Sequence, residues 1–286
     1  IPTGTIEVTD SKFLLMQENR PEQWVVAMPK LLVVLPTAEQ VIGPIEMQAT
    51  VADVSGTVAD SQGTIAASVK QSDDGSPTFE VRAMLDHLPV DLWHVIHARL
   101  PDIPVDELRG RISATLAGQI VDADRWSFDV QQIDSRGLQV VAPQLVGPNP
   151  AQLQFVSASG RAALADAVLR VEGAQVACDF AQADASANIP WPINVPTATD
   201  PFLKGAVVDV RGVVDLPKLA QAAQSLIPLR DDTQLSAGQA TFSLSQQLDP
   251  QGIPSSRASL ELTGLEGVAA GQAVRWNDPL NLQISA

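Results

Sequence analysis

The chain of 286 residues is long enough for one large domain or two ordinary ones with a real core. Its 18 Lys and Arg against 33 Asp and Glu leave a net charge of −15. That balance excludes a nucleic-acid surface, whose phosphates demand clustered cations, and electrostatic docking on anionic headgroups. A single cysteine, Cys178, excludes an internal disulfide and a cysteine-rich metal site, and 4% aromatics without a Tyr argue against platforms for sugars or bases. The first residue is Ile1, so the chain reads as a mature chain or an excised piece. Its longest early apolar patch, residues 31–35, is far too short to span a bilayer, and the segment is expected to be soluble.

Residues 1–60 hold short alternating runs at 5–8, 13–16, 24–27, 30–35 and 45–51, which predict strands of four to seven residues. Pro29 predicts an edge or a bulge between two of them. Residues 56–58 and 63–69 read as a hairpin pair, and 72–77 (SDDGSP) as a turn; its Asp-Asp-Gly lacks the ligand alternation of a calcium loop. From Thr78 the alternation is clean, with Phe79, Val81, Ala83 and Leu85 on one face and Glu80, Arg82, Met84 and Asp86 on the other. Residues 90–99 have helical spacing, and after Gly110 a strand resumes with Ile112, Ala114 and Leu116 on one face. Trp126, Phe128 and Val130 alternate next, and the GPNP at 147–150 is the first plausible boundary.

The stretch 151–186 carries helix-forming alanines, yet Ala165, Ala167, Leu169 and Val171 alternate, Val176, Cys178 and Phe180 form a strand face, and Gly160 and Gly173 cut it into strand lengths. Strands are therefore favoured. Residues 189–201, with four prolines, read as a connector or an edge. Val208 and Val210 oppose Asp209 and Arg211 in the next strand. A better helix follows, with a stripe of Leu216, Leu219, Ala220, Ala223, Leu226 and Ile227 and Asp215 as its cap. Residues 239–245 (with Phe242 and Leu244 on one face) and 256–263 (with Ala258, Leu260 and Leu262) alternate around a turn at 249–252, and Trp276 and residues 280–284 close the chain.

One unit occurs twice. FEVRAMLDHLP, VDLWHVIHARLP and GRISATLAGQI are echoed by VVDVRGVVDLP, KLAQAAQSLIP and GQATFSLSQ. In each copy a Leu-Pro (Leu88-Pro89, Leu216-Pro217) precedes the helical segment, and a glycine (Gly110, Gly238) opens the return strand 21 residues after the proline. The first copy offers His87, His94 and His97 with Asp91; His94 and His97, three apart, would share a helix face where imidazoles can hold zinc. The second copy has Ala222 and Ser225 in place of His94 and His97, so the unit is not built around a metal. The pairs Asp73-Asp74 and Asp231-Asp232 adjoin turn-like sequence and read as solvated carboxylates. No nucleophile elbow, phosphate loop, dinucleotide fingerprint or HExxH is present. No cofactor, metal or catalytic residue is assigned, and the chain is not expected to be an enzyme.

The sum is a mainly β fold, a long curled antiparallel sheet forming an open groove, with about two short amphipathic helices. Residues 1–150 would hold the first unit and 151–286 the second, in one continuous elongated sheet. Strands of seven to nine residues would make it roughly 25 Å across, and around 16 strands roughly 75 Å long. Its apolar face would carry Phe79, Val81, Leu85, Ile112, Leu116, Phe128, Val130, Val208, Val210, Phe242, Leu244, Leu260 and Leu262. A packed sandwich core predicts the same alternation.

The two units resemble repeats of AsmA-like and TamB-like envelope proteins, in which a strand, a Leu-Pro or Asp-Leu, a short helix ending in Leu-Pro, then Leu-x-Gly and a strand recur. The likeness covers about residues 79–130 and 205–265. It implies a bridge-like protein of outer-membrane biogenesis in the bacterial periplasm, anchored by a segment absent from this chain, whose curled β-groove conducts phospholipid or another acyl-chain lipid between membranes. Membrane-protein partners would act through the missing ends. The alternative is a structural or surface β-sandwich that binds no ligand.

Overall fold

A computed structural model describes residues 4–16, 21–35, 43–56, 58, 61–72, 77–93, 105–143, 147–192, 205–222, 227, 229–230, 232–249, 251 and 253–285. Its strands are β1 (Thr5–Met16), β2 (Gln23–Val34), β3 (Ile45–Asp53), β4 (Gly63–Gln71), β5 (Phe79–Pro89), β6 (Glu107–Asp122), β7 (Arg125–Val141) and β8 (Ala151–Ala165). They continue as β9 (Val168–Cys178), β10 (Ala181–Pro190), β11 (Val207–Asp215), β12 (Thr233–Leu248), β13 (Pro254–Ala269), β14 (Gln272–Trp276) and β15 (Leu280–Ser285). All fifteen belong to one sheet, every described pairing antiparallel, with β1 to β14 in order and each of these beside its sequence neighbour. β14 and β15 both pair β13, at residues 265–269 and 257–262 respectively. β1 and β14 do not meet, so the sheet is open. β7 pairs β8 directly, so it runs unbroken past the Gly147–Pro150 breaker cluster.

The strands are longer than the sequence pattern predicts: β7 has 17 residues and β6, β12 and β13 have 16 each. At 3.3–3.4 Å per residue such strands span about 55 Å rather than about 25 Å. The difference lies in bulges, which break a two-residue period without ending a strand. Residues 5–16 form one strand although Asp10 sits at φ 54 and is skipped in the pairing. Residues 23–34 likewise run through Pro29, which lies in a register shift between Ala27 and Lys30 with β1 outside it: a bulge, not an edge. Gly110 and Gly238, expected to open the return strands, instead lie inside β6 and β12 at φ 127 and 146. Register shifts at Arg109/Arg111 and Ala237/Gln239 bracket them, and the strands begin three and five residues earlier, at Glu107 and Thr233.

Three further sequence expectations need correction. Gly56 and Val58 belong to the turn after β3, which Asp53 organises, and form no hairpin with β4. The alternation through Ala165, Ala167, Leu169 and Val171 is broken by a two-residue turn at Asp166 and Ala167, both at positive φ, the geometry that suits a tight β-hairpin. Phe180 likewise falls just outside β9, between β9 and β10. The described helical structure is one α-helix, α1 (Leu216–Ala222), and one 3-10 turn at Val90–Leu92. Asp215 caps α1 as expected, its Oδ1 accepting the Lys218 N–H at 3.1 Å. Ala223 and Leu226 of the helical stripe, His94 and His97, the centre of the SDDGSP turn at 73–76, Asp231 and residues 193–201 of the proline-rich stretch lie outside the described residues.

Both helical connections leave the same rim of the sheet, where β5 and β11 end and β6 and β12 begin. There α1 packs on the start of β12, reaches the start of β8, and buries Leu216 beside Gly238. In the first copy the Asp91 carboxylate accepts the Gly110 N–H at 3.3 Å, tying the 3-10 turn to the bulge; burial pushes its pKa up.

Candidate functional site

Side chains of directly paired residues in an antiparallel sheet point to the same face, so the register carries one face from strand to strand. Starting at Ala49 on β3, successive partners are Ile65, Leu85, Ala114, Ile133, Ala158, Val176, Ala183, Gly212, Phe242, Leu260 and Leu282. This row crosses twelve strands without one polar residue. At about 4.8 Å per strand it is about 53 Å long. On β1 and β2 the same face continues as Ile6, Val8, Phe13 and Leu15 opposite Val33, Leu31, Val26 and Trp24.

All thirteen residues expected to line an apolar face share it. Phe79 and Val81 pair Ile120 and Gly118, Leu116 pairs Val130, and Gly118 pairs Phe128. Ile112 follows Leu88 across the β5 bulge. Val208 and Val210 pair Gln246 and Leu244, and Leu262 pairs Ala240 and Leu280. Sequence reasoning missed the contribution of β8 to β10, where Ala162, Leu164, Val171, Ala185 and Ala187 fill the same face. The alternating alanines of AQADASA at 181–187 were the signal. Cys178, opposite Val156, is half-buried on this face too.

The opposite face is polar. Its neighbouring row reads Ser113, Asp134, Ser157, Ala177, Gln182, Val213, Thr241, Glu261 and Asn281. Cross-strand ion pairs Lys70–Glu80 (3.4 Å) and Asp129–Arg161 (3.8 Å) lie there, with Asp209–Arg211 (3.1 Å) along one strand. Two polar side chains that reach the apolar face are uncharged and bonded, Ser135 Oγ donating to the Arg111 carbonyl at 2.6 Å and Gln246 Nε2 to the Ala206 carbonyl at 3.0 Å; the carboxylate of Asp53, at the end of β3, is held by the N–H groups of Gln23, Ser55 and Val58.

The apolar face is covered in places and open in others. Val51 and Leu164 are 2% exposed, whereas Val176 is 52% and Leu282 55% exposed. The whole chain exposes 17848 Å², against about 12,000 Å² for a compact monomer of its mass. A closed sandwich would hide such a face beneath a second sheet; the described strands form one sheet. Where the face passes onto β12 to β14 it deepens into a cavity of about 250 Å³ walled by Leu235, Leu265, Val274, Trp276 and Leu280. Among the described residues no three His, Cys, Asp or Glu side chains converge to hold a metal, and no helix is long and apolar enough to cross a membrane. Comparison with protein-family models, with curated proteins and with solved structures gives no match.

Proposed function

We propose that this chain is a section of an envelope protein that carries lipids along the apolar face of its sheet, with acyl chains lying on Ile, Leu, Val and Ala side chains. The observation that carries the reading is the unbroken apolar row from Ala49 to Leu282, with members as exposed as Val176 and Leu282. Burying one CH₂ is worth about 0.8 kcal/mol, so a single acyl chain recovers several kcal/mol from such a surface without any directional contact. A row of aliphatic side chains without a polar member suits a mobile chain better than a fixed ligand. Phospholipid is the proposed cargo, and the periplasmic location and membrane anchor are those that the family resemblance implies.

Cys178 provides the test, because it is the sole cysteine and lies on the apolar face. Labelled there with an environment-sensitive fluorophore, the chain should show a blue-shifted emission when phospholipid is added. Organic extraction of the purified, unlabelled chain should release co-purified phospholipid. Emission that does not respond to lipid, together with a lipid-free extract, would leave a ligand-free structural protein as the better description.

A further inference from the structure

We infer that β1 is the seam of a two-fold dimer, pairing antiparallel with β1 of a second copy of this chain. The inference is independent of lipid carriage. β1 stands at one end of the strand order, and its side away from β2 has no partner strand among the described residues. That edge is 12 residues long, a template for another strand. The opposite edge consists of strands of 5 and 6 residues parted at Asn277–Pro279 and offers no run of that length. The pattern along β1 identifies the occupant. Ile6, Val8, Phe13 and Leu15 share the apolar face and are 51, 37, 53 and 39% exposed. Ile6 and Leu15 are nine positions apart, and Val8 and Phe13 five, odd separations that strict alternation would put on opposite faces. Asp10, at φ 54, resets the period between them. The face pattern is thereby symmetric about the middle of the strand, between Asp10 and Ser11.

Antiparallel self-pairing needs that symmetry, because each residue must share a face with the one it meets, and the two-fold axis repeats every contact in reverse. With the axis normal to the sheet between Asp10 and Ser11, the whole of β1 is matched. Ile6 of each copy meets Leu15 of the other, and Val8 meets Phe13, apolar against apolar. On the polar face Glu7 meets Leu14 and Thr9 meets Lys12. Glu7 then stands diagonal to Lys12 of the other copy, within reach of a long side chain. No ion pair within the chain involves Glu7 or Lys12 among the described residues. The seam therefore gains two equivalent ion pairs. Both apolar faces come to lie on one side, and the apolar row runs on across the axis.

Sedimentation equilibrium of the intact chain should show a dimer as the first species formed with rising concentration. Lys12→Glu should weaken it about fivefold or more, by setting Glu7 against a like charge. Adding Glu7→Lys should restore it. Five residues along one strand are too far apart to pair within a copy, so the rescue must act across the seam, and partial unfolding cannot mimic it. In a Cys178→Ala background, Val8→Cys with Phe13→Cys should give a disulfide-linked dimer on mild oxidation, and Val8→Cys alone should not, since only the pair meets across the axis. A parent chain that stays monomeric, a double charge variant no tighter than Lys12→Glu, or equal cross-linking of the single and double cysteine variants overturns the assignment.

Discussion

The ring of Phe242 lies across Gly212, its partner on the neighbouring strand: a β-carbon on that glycine would stand 2.5 Å from Phe242 Cζ and 2.6 Å from Cε1. Phe128 stands in the same relation to Gly118. An aromatic ring over a bare backbone shields a glycine that would otherwise weaken the strand, and it spreads the ring along the sheet instead of raising it from the surface. Gly212→Val should therefore destabilise the chain by about 1–3 kcal/mol through overpacking. Adding Phe242→Ala should return part of that loss, a coupling that urea unfolding of the double-mutant cycle would measure. Strictly additive effects would show that the two residues do not share the space.

Substitutions on the apolar face should separate by exposure. Leu244, 44% exposed, faces open space, so Leu244→Asp should leave folding largely intact and reduce the lipid recovered by extraction. Leu164, 2% exposed on the same face, has no water to hydrate a carboxylate, and Leu164→Asp should unfold the sheet. Circular dichroism and lipid extraction on both variants check the pair of outcomes.

Trp24 is 1% exposed and its indole N–H has no hydrogen-bond partner among the described residues. Trp24→Ala should cost about 3–5 kcal/mol for the cavity it leaves. Trp24→Phe should cost clearly less, since it removes an unsatisfied donor along with the lost area. Denaturant midpoints of the two variants give the comparison directly.

Asp53 links folding to pH. Desolvation pushes its carboxyl up, but the hydroxyl and N–H of Ser55 and the N–H groups of Val58 and Gln23 outweigh it and hold the pKa well below the usual carboxylate range. The folded state thus favours the ionised form. Its stabilising contribution is complete above the ordinary Asp pKa of about 3.9 and is lost as pH falls through the lowered value. Asp53→Asn should destabilise the chain at neutral pH, with a difference from the parent that shrinks steadily below about pH 4. Equal acid sensitivity of the two proteins would refute this assignment. Asp91, raised by burial, contributes in the opposite sense, because protonation favours its folded environment.

Both edges of the sheet expose apolar side chains: Phe13, Leu14 and Met16 on β1 are 53, 51 and 66% exposed, and Leu282 and Ile284 on β15 are 55 and 57%. Long edges of this kind are templates for further pairing. The chain should self-associate with rising concentration, and Leu14→Lys with Met16→Lys should reduce that tendency. Sedimentation velocity over a concentration series tests it; a parent chain that stays monomeric throughout would count against it.

The β character and the thirteen apolar-face residues were legible because alternation survives between bulges, as from Phe79 to Leu85. Strand length was not. Asp10, Pro29, Gly110 and Gly238 all look like stops in a linear reading, yet each is absorbed as a bulge once two flanking strands hold the register. Cross-strand neighbours were equally hidden. Arg111 and Arg136 are 25 residues apart in the chain, and only the β6–β7 register brings them opposite each other. Of the three histidines that drew attention in the sequence, His87 pairs with its neighbour Asp86, and His94 and His97 lie outside the described residues.

A sheet in which nearly every strand pairs with its sequence neighbour behaves like a ruler. No long-range strand exchange locks its two ends together, so a hairpin added or removed anywhere leaves the remaining pairings in register. Two strands at a time also preserve both chain direction and the side on which the apolar residues fall. Each such insertion would lengthen the row by about 10 Å. Reach is thereby set by the number of hairpins, and a span can be fitted to a distance without redesigning any one of them.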